Sequence, residues 1–208
     1  ARRPAYRLDA GVRPSHVELH VELDPAASTR YRGEVAIRIT LARATRRLRL
    51  HAVDLRIGRA RIEAGGAGQS ARCTSLPSVG MIELTFAKPI PAGDAILRLT
   101  FSGRLRRDLC GLYAARSGPH KFAFTQLEAT DARKFFPCFD EPAMKARFRI
   151  AVTTTRANAV LSNARVQRTR LLPKGRKQVQ FEETPPLSTY LVALFGKYVC
   201  YALLALSI

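Results

Sequence analysis

In the segment Ser15-His16-Val17-Glu18-Leu19-His20-Val21-Glu22-Leu23, polar and apolar residues alternate without a break from His16 onward. Side chains of an extended chain point to opposite faces in turn, so this alternation predicts a strand with one buried face and one solvent-facing side. The dipeptide Asp24-Pro25 follows and is a turn signal that ends the strand. The segment therefore predicts a β-sheet protein.

The same pattern recurs along the chain. Residues 31–41 repeat it, and breaks rich in Gly, Pro and Asp separate the shorter runs. One short helical turn is predicted at residues 129–134, and no long helical pattern is present. We expect an all-β fold of about ten short strands, built as an antiparallel sandwich or saddle-shaped sheet. The further strands are predicted at residues 47–51, 54–62, 81–86, 95–101, 121–125, 146–154, 159–162, 178–182 and 188–195.

Length and charge limit the possible classes of protein. The 208 residues are 47% hydrophobic and are sufficient for one large β domain, which we place at residues 1–198. The 35 Lys and Arg residues exceed the 16 Asp and Glu residues by 19, a balance that favours anionic partners. The cations are scattered over every predicted strand and turn rather than collected in one arm. We therefore expect a solvated basic surface and not a nucleic-acid partner.

The last residues form a hydrophobic stretch. Residues 191–208 barely reach the length of a membrane span, and Lys197 would lie near its middle. We expect a core strand followed by an atypical hydrophobic tail at residues 199–208, and no membrane partner. The first ten residues are polar and charged, unlike a secretory signal.

The four cysteines, Cys73, Cys110, Cys138 and Cys200, are far apart in the sequence and form no CxxC pair. A zinc knuckle is therefore not expected, and free thiols in a cytoplasmic protein are the prediction. The run His16–His20 places a glutamate between two histidines, but a zinc-protease HExxH motif requires a helix with the histidines one turn apart. We expect neither catalytic residues nor metal ligands in this chain.

Gln126 and Glu128 are the first candidate site residues. They are two residues apart, so in extended backbone they project to the same side, and they follow an apolar strand that contains Phe122 and Phe124. A carboxylate beside a carboxamide could bind a substrate ammonium group, which would position a peptide without cleaving it. The alternative is an exposed polar pair at a strand edge.

The loop Phe135-Phe136-Pro137-Cys138-Phe139-Asp140-Glu141-Pro142 is the second candidate. Cys138 lies among aromatic residues without a neighbouring histidine, which predicts a buried thiol rather than a nucleophile. Asp140 and Glu141 are adjacent and diverge in direction, so they do not converge on one reacting bond. We expect Asp140 to accept backbone N–H groups and to pair with Arg133, giving Arg133, Asp140 and Glu141 a role in loop architecture.

The run from Thr125 to Pro142 resembles the signature at the end of the amino-terminal domain in aminopeptidase N-type zinc metallopeptidases. The resemblance covers residues 5–198, and further landmarks occur in the family's order. They are Tyr6-Arg7-Leu8 with residues 14–19, Tyr31-Arg32-Gly33, Cys110-Gly111-Leu112-Tyr113-Ala114, Leu161-Ser162-Asn163 and residues 181–193.

The resemblance implies a saddle-like β domain that docks on a thermolysin-like catalytic domain, supplied in cis or in trans. Zinc would belong to that second domain, and this chain alone would be inactive because it contains no HExxH. Gln126 and Glu128 would help to form the pocket for the substrate's free amino terminus. Two alternatives stay open: a noncatalytic β-sandwich that binds peptides or proteins, and a basic nucleic-acid-binding domain. The order of landmarks does not choose between a truncated gene, a shifted reading frame and a standalone module.

Overall fold

The computed structural model describes residues 7–118 and 120–198, with backbone alone at 197 and 198. In these residues the chain forms fourteen strands and three short 3-10 helices, Pro77–Val79, Ala132–Lys134 and Thr189–Leu191. The strands are β1 (Val12–Glu22), β2 (Arg30–Leu41), β3 (Thr45–His51), β4 (Arg56–Ala64), β5 (Ala67–Leu76), β6 (Met81–Ile90), β7 (Gly93–Arg104), β8 (Gly111–Ser117), β9 (His120–Gln126), β10 (Arg147–Thr155), β11 (Asn158–Ser162), β12 (Val166–Leu172), β13 (Arg176–Phe181) and β14 (Leu194–Tyr198).

Ten strands form one large sheet in the order β12-β13-β10-β1-β2-β7-β4-β5-β6-β3. The neighbouring strands are antiparallel, except that β1 and β10 are parallel. A parallel pair requires a long crossover, and here the connection contains most of the other strands. The all-β prediction is confirmed, and the sheet is mixed rather than purely antiparallel.

The register explains why the apolar residues of the first strands are buried. Val17 lies opposite Ile37 and Leu19 lies opposite Val35, so their side chains cover one face of the sheet. All four are at most 4% exposed. The alternate polar residues of the same strands lie on the other face, which we call the polar face.

A second sheet has four strands in the order β11-β14-β9-β8. Leu112, Ala123 and Leu194 are buried and belong to the same hydrophobic core as the apolar face of the large sheet. The intervening residues Tyr113 and Phe124 are only half buried. This second sheet therefore has one buried face and one outer face.

The loop between β9 and β10 is part of the core rather than a surface excursion. Phe135 and Phe136 are fully buried, and the ring of Phe136 meets that of Phe148 edge to face at 6.4 Å. The hydroxyl of Tyr31 donates to the Phe135 carbonyl oxygen at 2.8 Å. The loop is thus fixed by both apolar packing and a hydrogen bond from the large sheet.

Several elements differ from the prediction. The strands β5, β8 and β12 were not predicted. Neither β5 nor β12 contains a fully buried residue, and in β8 the two buried residues, Gly111 and Leu112, are adjacent rather than alternate. The predicted strand at residues 188–195 is wrong over its first half, where Thr189–Leu191 forms a 3-10 turn and β14 begins at Leu194. The Thr189 hydroxyl donates to Asp140, which holds this turn on the neighbouring loop.

The predicted hydrophobic tail at residues 199–208 lies outside the described residues. Within the part of the chain that the structure describes, no helix has the length and apolar character needed to cross a membrane. Cys73, Cys110 and Cys138 are free thiols, and Cys138 is buried as predicted.

Candidate functional site

Gln126 and Glu128 lie at the end of β9, on either side of a buried anchor. Both are exposed, whereas Leu127 between them is 1% exposed and belongs to the core. The Leu127 carbonyl oxygen accepts a hydrogen bond from the Asp131 N–H at 2.9 Å, which begins the following turn. The backbone that carries the two polar side chains is therefore fixed on its inner side while their side chains face outward.

The surroundings of Gln126 are open. Gln126 lies across the ladder from Gly111, which has no side chain to cover it. Gly111 has φ +66, and a Cβ there would come within 2.9 Å of the Lys134 Cβ, so a larger residue would be strained. Within residues 7–118 and 120–198, neither Gln126 nor Glu128 forms a side-chain hydrogen bond or ion pair. Both groups are available to a ligand.

An aromatic surface adjoins Gln126 on the outer side of the four-stranded sheet. The register places Tyr113, Phe124, Phe195 and Leu161 in one row across β8, β9, β14 and β11. Phe124 stacks on Tyr113 at 5.7 Å between ring centroids and meets Phe195 at 4.8 Å. Phe122 stacks on Phe124 at 5.9 Å. We call these five residues the aromatic face.

The aromatic face is only partly covered. Its four rings are half buried and Leu161 is 59% exposed. Contiguous exposed apolar surface marks an interaction site in soluble proteins, and aromatic side chains dominate the energetics of such interfaces. The side-chain alternation of β9 places Gln126 on the same face as Phe122 and Phe124. The candidate site therefore lies at one margin of a surface suited to a protein partner.

Asp140 holds the loop behind this site. It is 4% exposed, and its Oδ2 accepts a hydrogen bond from Arg133 Nε at 2.8 Å while its Oδ1 accepts one from Thr189 Oγ1 at 2.6 Å. Arg133 also donates to the Asp140 carbonyl oxygen at 3.1 Å. A buried carboxylate with a cation and a hydroxyl on separate oxygens is well satisfied.

His51 is the third residue that hydrogen-bonds to Asp140. Its Nδ1 accepts a hydrogen bond from the Asp140 N–H at 3.2 Å, and its backbone pairs with that of Cys138. This histidine is 2% exposed. Burial, assisted by the nearby Arg133 charge, lowers the pKa of His51 to about 4, so its ring is neutral and able to accept at neutral pH. Burial also raises the pKa of the Cys138 thiol well above its usual value, which makes it a poor nucleophile.

The two carboxylates of the loop have different surroundings. Glu141 Oε1 accepts a hydrogen bond from the Leu8 N–H at 2.6 Å, whereas Asp140 is directed to Arg133 and Thr189. The structure thus brings Arg133 and Asp140 together and places Glu141 on the amino-terminal segment. Sequence reasoning did not identify Tyr31, His51 or Thr189, whose contacts to the loop span 104, 89 and 49 residues.

The histidines of β1 lie on the polar face of the large sheet. His20 Nε2 is 2.8 Å from Thr153 Oγ1, and His16 Nδ1 is 3.1 Å from Ser15 Oγ. Among the described residues, no group of three or more His, Cys, Asp or Glu side chains is placed to hold a metal ion.

Comparison with known proteins gives a consistent match. A family model described as the peptidase M1 N-terminal domain matches residues 13–191. Aminopeptidase M1-D of Oryza sativa subsp. japonica is 34% identical over 192 residues, which are 90% of this chain and 22% of that protein. Glutamyl aminopeptidase of Rattus norvegicus is 34% identical over 198 residues, with 90% and 21% covered. Aminopeptidase M1 of Arabidopsis thaliana is 33% identical over 198 residues, with 90% and 22% covered. The chain spans about a fifth of the length of the curated relatives that it matches.

Proposed function

The chain belongs to the peptidase M1 N-terminal domain family, and from that premise we propose that it is the substrate-recognition domain of a zinc-dependent aminopeptidase. The observation that carries this proposal is the exposed pair Gln126 and Glu128 on a rigid strand end, at the margin of the aromatic face. The catalytic domain would be supplied by the same polypeptide or by another one.

Glu128 would bind the α-ammonium group of the peptide substrate. A carboxylate that accepts charge-assisted N–H bonds from an ammonium group fixes both the position and the protonation state of the substrate's end. Gln126 would line the pocket for the first residue, where its carboxamide can donate and accept. Neither group takes part in bond cleavage; both would hold the peptide in register with the reacting centre.

The aromatic face would pack against the catalytic domain. Covering its half-exposed rings would remove apolar surface from water, which is the main driving force of stable association. Zinc in the partner domain would supply an activated water molecule for hydrolysis of the first peptide bond. Gln126 and Glu128 would then face the cleft between the two domains.

A chimera tests the role of Glu128. This chain would replace the segment of Oryza sativa aminopeptidase M1-D that aligns with it. We expect the chimera to release p-nitroaniline from an aminoacyl-p-nitroanilide substrate, and the chain alone to release none above the blank. Glu128→Gln in the chimera is expected to lower kcat/KM by about 10- to 100-fold, the range for losing a hydrogen bond to a charged group.

The matched control is Glu182→Gln, which removes the same charge from an exposed position after β13. It should leave kcat/KM within about twofold, as is usual for a surface substitution. An active chimera in which Glu128→Gln and Glu182→Gln have equal kinetics would contradict the assignment of Glu128. Activity of the isolated chain would contradict the need for a partner domain.

A further inference from the structure

The polar face of the ten-stranded sheet contains four adjoining depressions, of about 800, 620, 290 and 230 Å³. The 800 and 290 Å³ depressions share His20 and Glu34, and the 290 and 620 Å³ depressions share Arg32. The 800 and 230 Å³ depressions share Gln178 and Gln180. The four depressions are therefore immediate neighbours on this face, and we call them together the arginine trough.

Small residues form the floor of the arginine trough and long ones form its sides. The register aligns Arg149, Glu18, Ala36, Arg98 and Arg61 in one row across β10, β1, β2, β7 and β4. The short Ala36 side chain lies at the middle of this row between longer neighbours. A floor of this kind leaves room for an extended chain between flanking side chains.

Positive charge dominates the lining. Eleven arginines and five carboxylates line the four depressions, so the arginine trough has a net positive charge. Arg61 and Arg98 share one carboxylate, that of Glu63, at 3.9 and 3.6 Å. Among the described residues, the exposed Arg59 side chain forms no ion pair. The single Glu63 carboxylate can balance only one of the Arg61 and Arg98 charges, and Glu22 is likewise shared by Arg32 and Arg176. The lining therefore keeps an excess of positive charge.

The dimensions fit an extended peptide. From Arg30 to Ala36 along β2 the arginine trough extends about 20 Å, at roughly 3.3 Å per residue, which is the length of about six extended residues. Alternate side chains of such a peptide would point to the same side, about 7 Å apart. Arg59 and Arg61 on β4 have the same two-residue separation.

We propose that the arginine trough binds an extended peptide segment with acidic side chains at alternate positions. Carboxylates match the forked guanidinium donors that flank the floor. This site lies on a different sheet from Gln126 and Glu128, so it does not depend on the function proposed above.

Two features favour peptide over nucleic acid. Among the described residues, Tyr31 and Phe101 are the only Phe, Tyr or Trp residues that line the four depressions, and both are 3% exposed, so neither offers a ring face for bases to stack on. Glu18 and Glu34 are exposed within the arginine trough and would repel a continuous row of phosphates. A peptide can place neutral residues opposite them.

Fluorescence anisotropy tests the proposal with Ac-(Glu-Ala)4 whose carboxyl end is joined to fluorescein through an amide linker. Because the amino end of this peptide is acetylated, it has no ammonium group with which to bind Glu128. We expect saturable binding with a micromolar Kd that weakens as NaCl rises from about 50 to about 300 mM. The double variant Arg59→Gln/Arg61→Gln is expected to weaken binding about tenfold, and Glu34→Gln to strengthen it about threefold.

The control variant is Arg46→Gln/Arg47→Gln, which removes the same charge from exposed positions at the β3 edge, outside the four depressions. It should change Kd by less than about twofold. Equal weakening by the two double variants, or equal binding of Ac-(Gln-Ala)4-amide, would overturn the proposal. Tighter binding of a ten-nucleotide oligothymidylate than of the acidic peptide would overturn it in favour of nucleic acid. If circular dichroism shows that a double variant is misfolded, the test rests on Glu34→Gln alone. A Kd of Glu34→Gln for the acidic peptide that equals or exceeds that of the parent protein would then overturn the proposal.

Discussion

Replacement of His51 by Asn should remove an acid-sensitive component of the stability. His51 accepts the Asp140 N–H at its Nδ1, and the Asn carboxamide oxygen can take a similar position without titrating. In the folded protein burial lowers the pKa of His51 to about 4 from the ordinary 6.5. Protonation would bury a charge and abolish the hydrogen bond from Asp140.

The direction of the pH dependence of stability follows from the number of protons that His51 binds in the folded and unfolded states. Between pH 4 and pH 6.5 the unfolded chain binds more protons at this residue than the folded chain does, so stability rises with pH through that interval. The neutral ring's contribution is complete above about pH 6.5 and is lost as the pH falls through that range. With these two pKa values, lowering the pH from about 7.5 to about 5 should cost about 2 kcal/mol at His51 alone.

The assay is urea unfolding followed by circular dichroism at both pH values. The free energy of unfolding of the parent protein should fall by about 2 kcal/mol more than that of His51→Asn. His16→Asn is the control, because His16 lies on the polar face, where its Nδ1 is within hydrogen-bond distance of Ser15 Oγ. It should keep the pH dependence of the parent. Equal pH dependence in the parent and His51→Asn would refute the assignment of a buried, neutral His51.

Three further outcomes are expected. Asp140→Ala should lower the free energy of unfolding by about 3 kcal/mol in urea titrations, because it leaves the mostly buried Arg133 guanidinium and the Thr189 hydroxyl without their acceptor. An effect below about 1 kcal/mol would contradict the buried network. Phe136→Ala should lower the free energy of unfolding by about 3–5 kcal/mol in the same measurement. The control Leu109→Ala, at a position 64% exposed, should lower it by less than about 0.5 kcal/mol. Similar values for the two variants would show that the loop is not part of the core. In the folded protein, iodoacetamide should label Cys110 and leave Cys138 unmodified, which peptide mass spectrometry can measure. Rapid labelling of Cys138 in the folded protein would contradict its burial and its raised pKa.

Alternation in the sequence predicted the strands that have one buried face. β1 and β2 were found because residues such as Leu19 and Ile37 must repeat at every second position to reach the core. β12 was missed because it is an edge strand with no fully buried residue, so burial imposed no pattern on it. The all-β class was therefore predictable, and the number and order of strands were not.

The candidate site was predictable only where its residues are close in sequence. Gln126 and Glu128 were selected from one contiguous run, and the pairing of Arg133 with Asp140 involves residues seven positions apart. The row that joins Phe124 to Phe195 depends on strand order, which no local pattern contains.

The distribution of surface charge also depends on strand order, and therefore could not be predicted from local sequence patterns. In the sequence the arginines are spread over nearly every strand, and this dispersion suggested a generally basic surface. Pairing in the sheet places alternate residues of adjacent strands side by side, so Arg61, Arg98 and Arg149 come to line one depression. Arginines that are dispersed along the sequence are therefore brought close together by the pairing of strands in the sheet.

The parallel pairing of β1 with β10 has a consequence for synthesis on the ribosome. β1 is made before the other thirteen described strands, yet one of its edges can be paired only after residues 147–155 have been translated. Until then that edge presents unpaired backbone groups beside an apolar surface, a combination that favours association with other chains. Such distant pairings also slow folding, because the intervening chain must be ordered first. Nascent chains of this protein should therefore depend on holding chaperones until β10 emerges, a dependence that ribosome-arrested fragments ending before and after β10 would reveal.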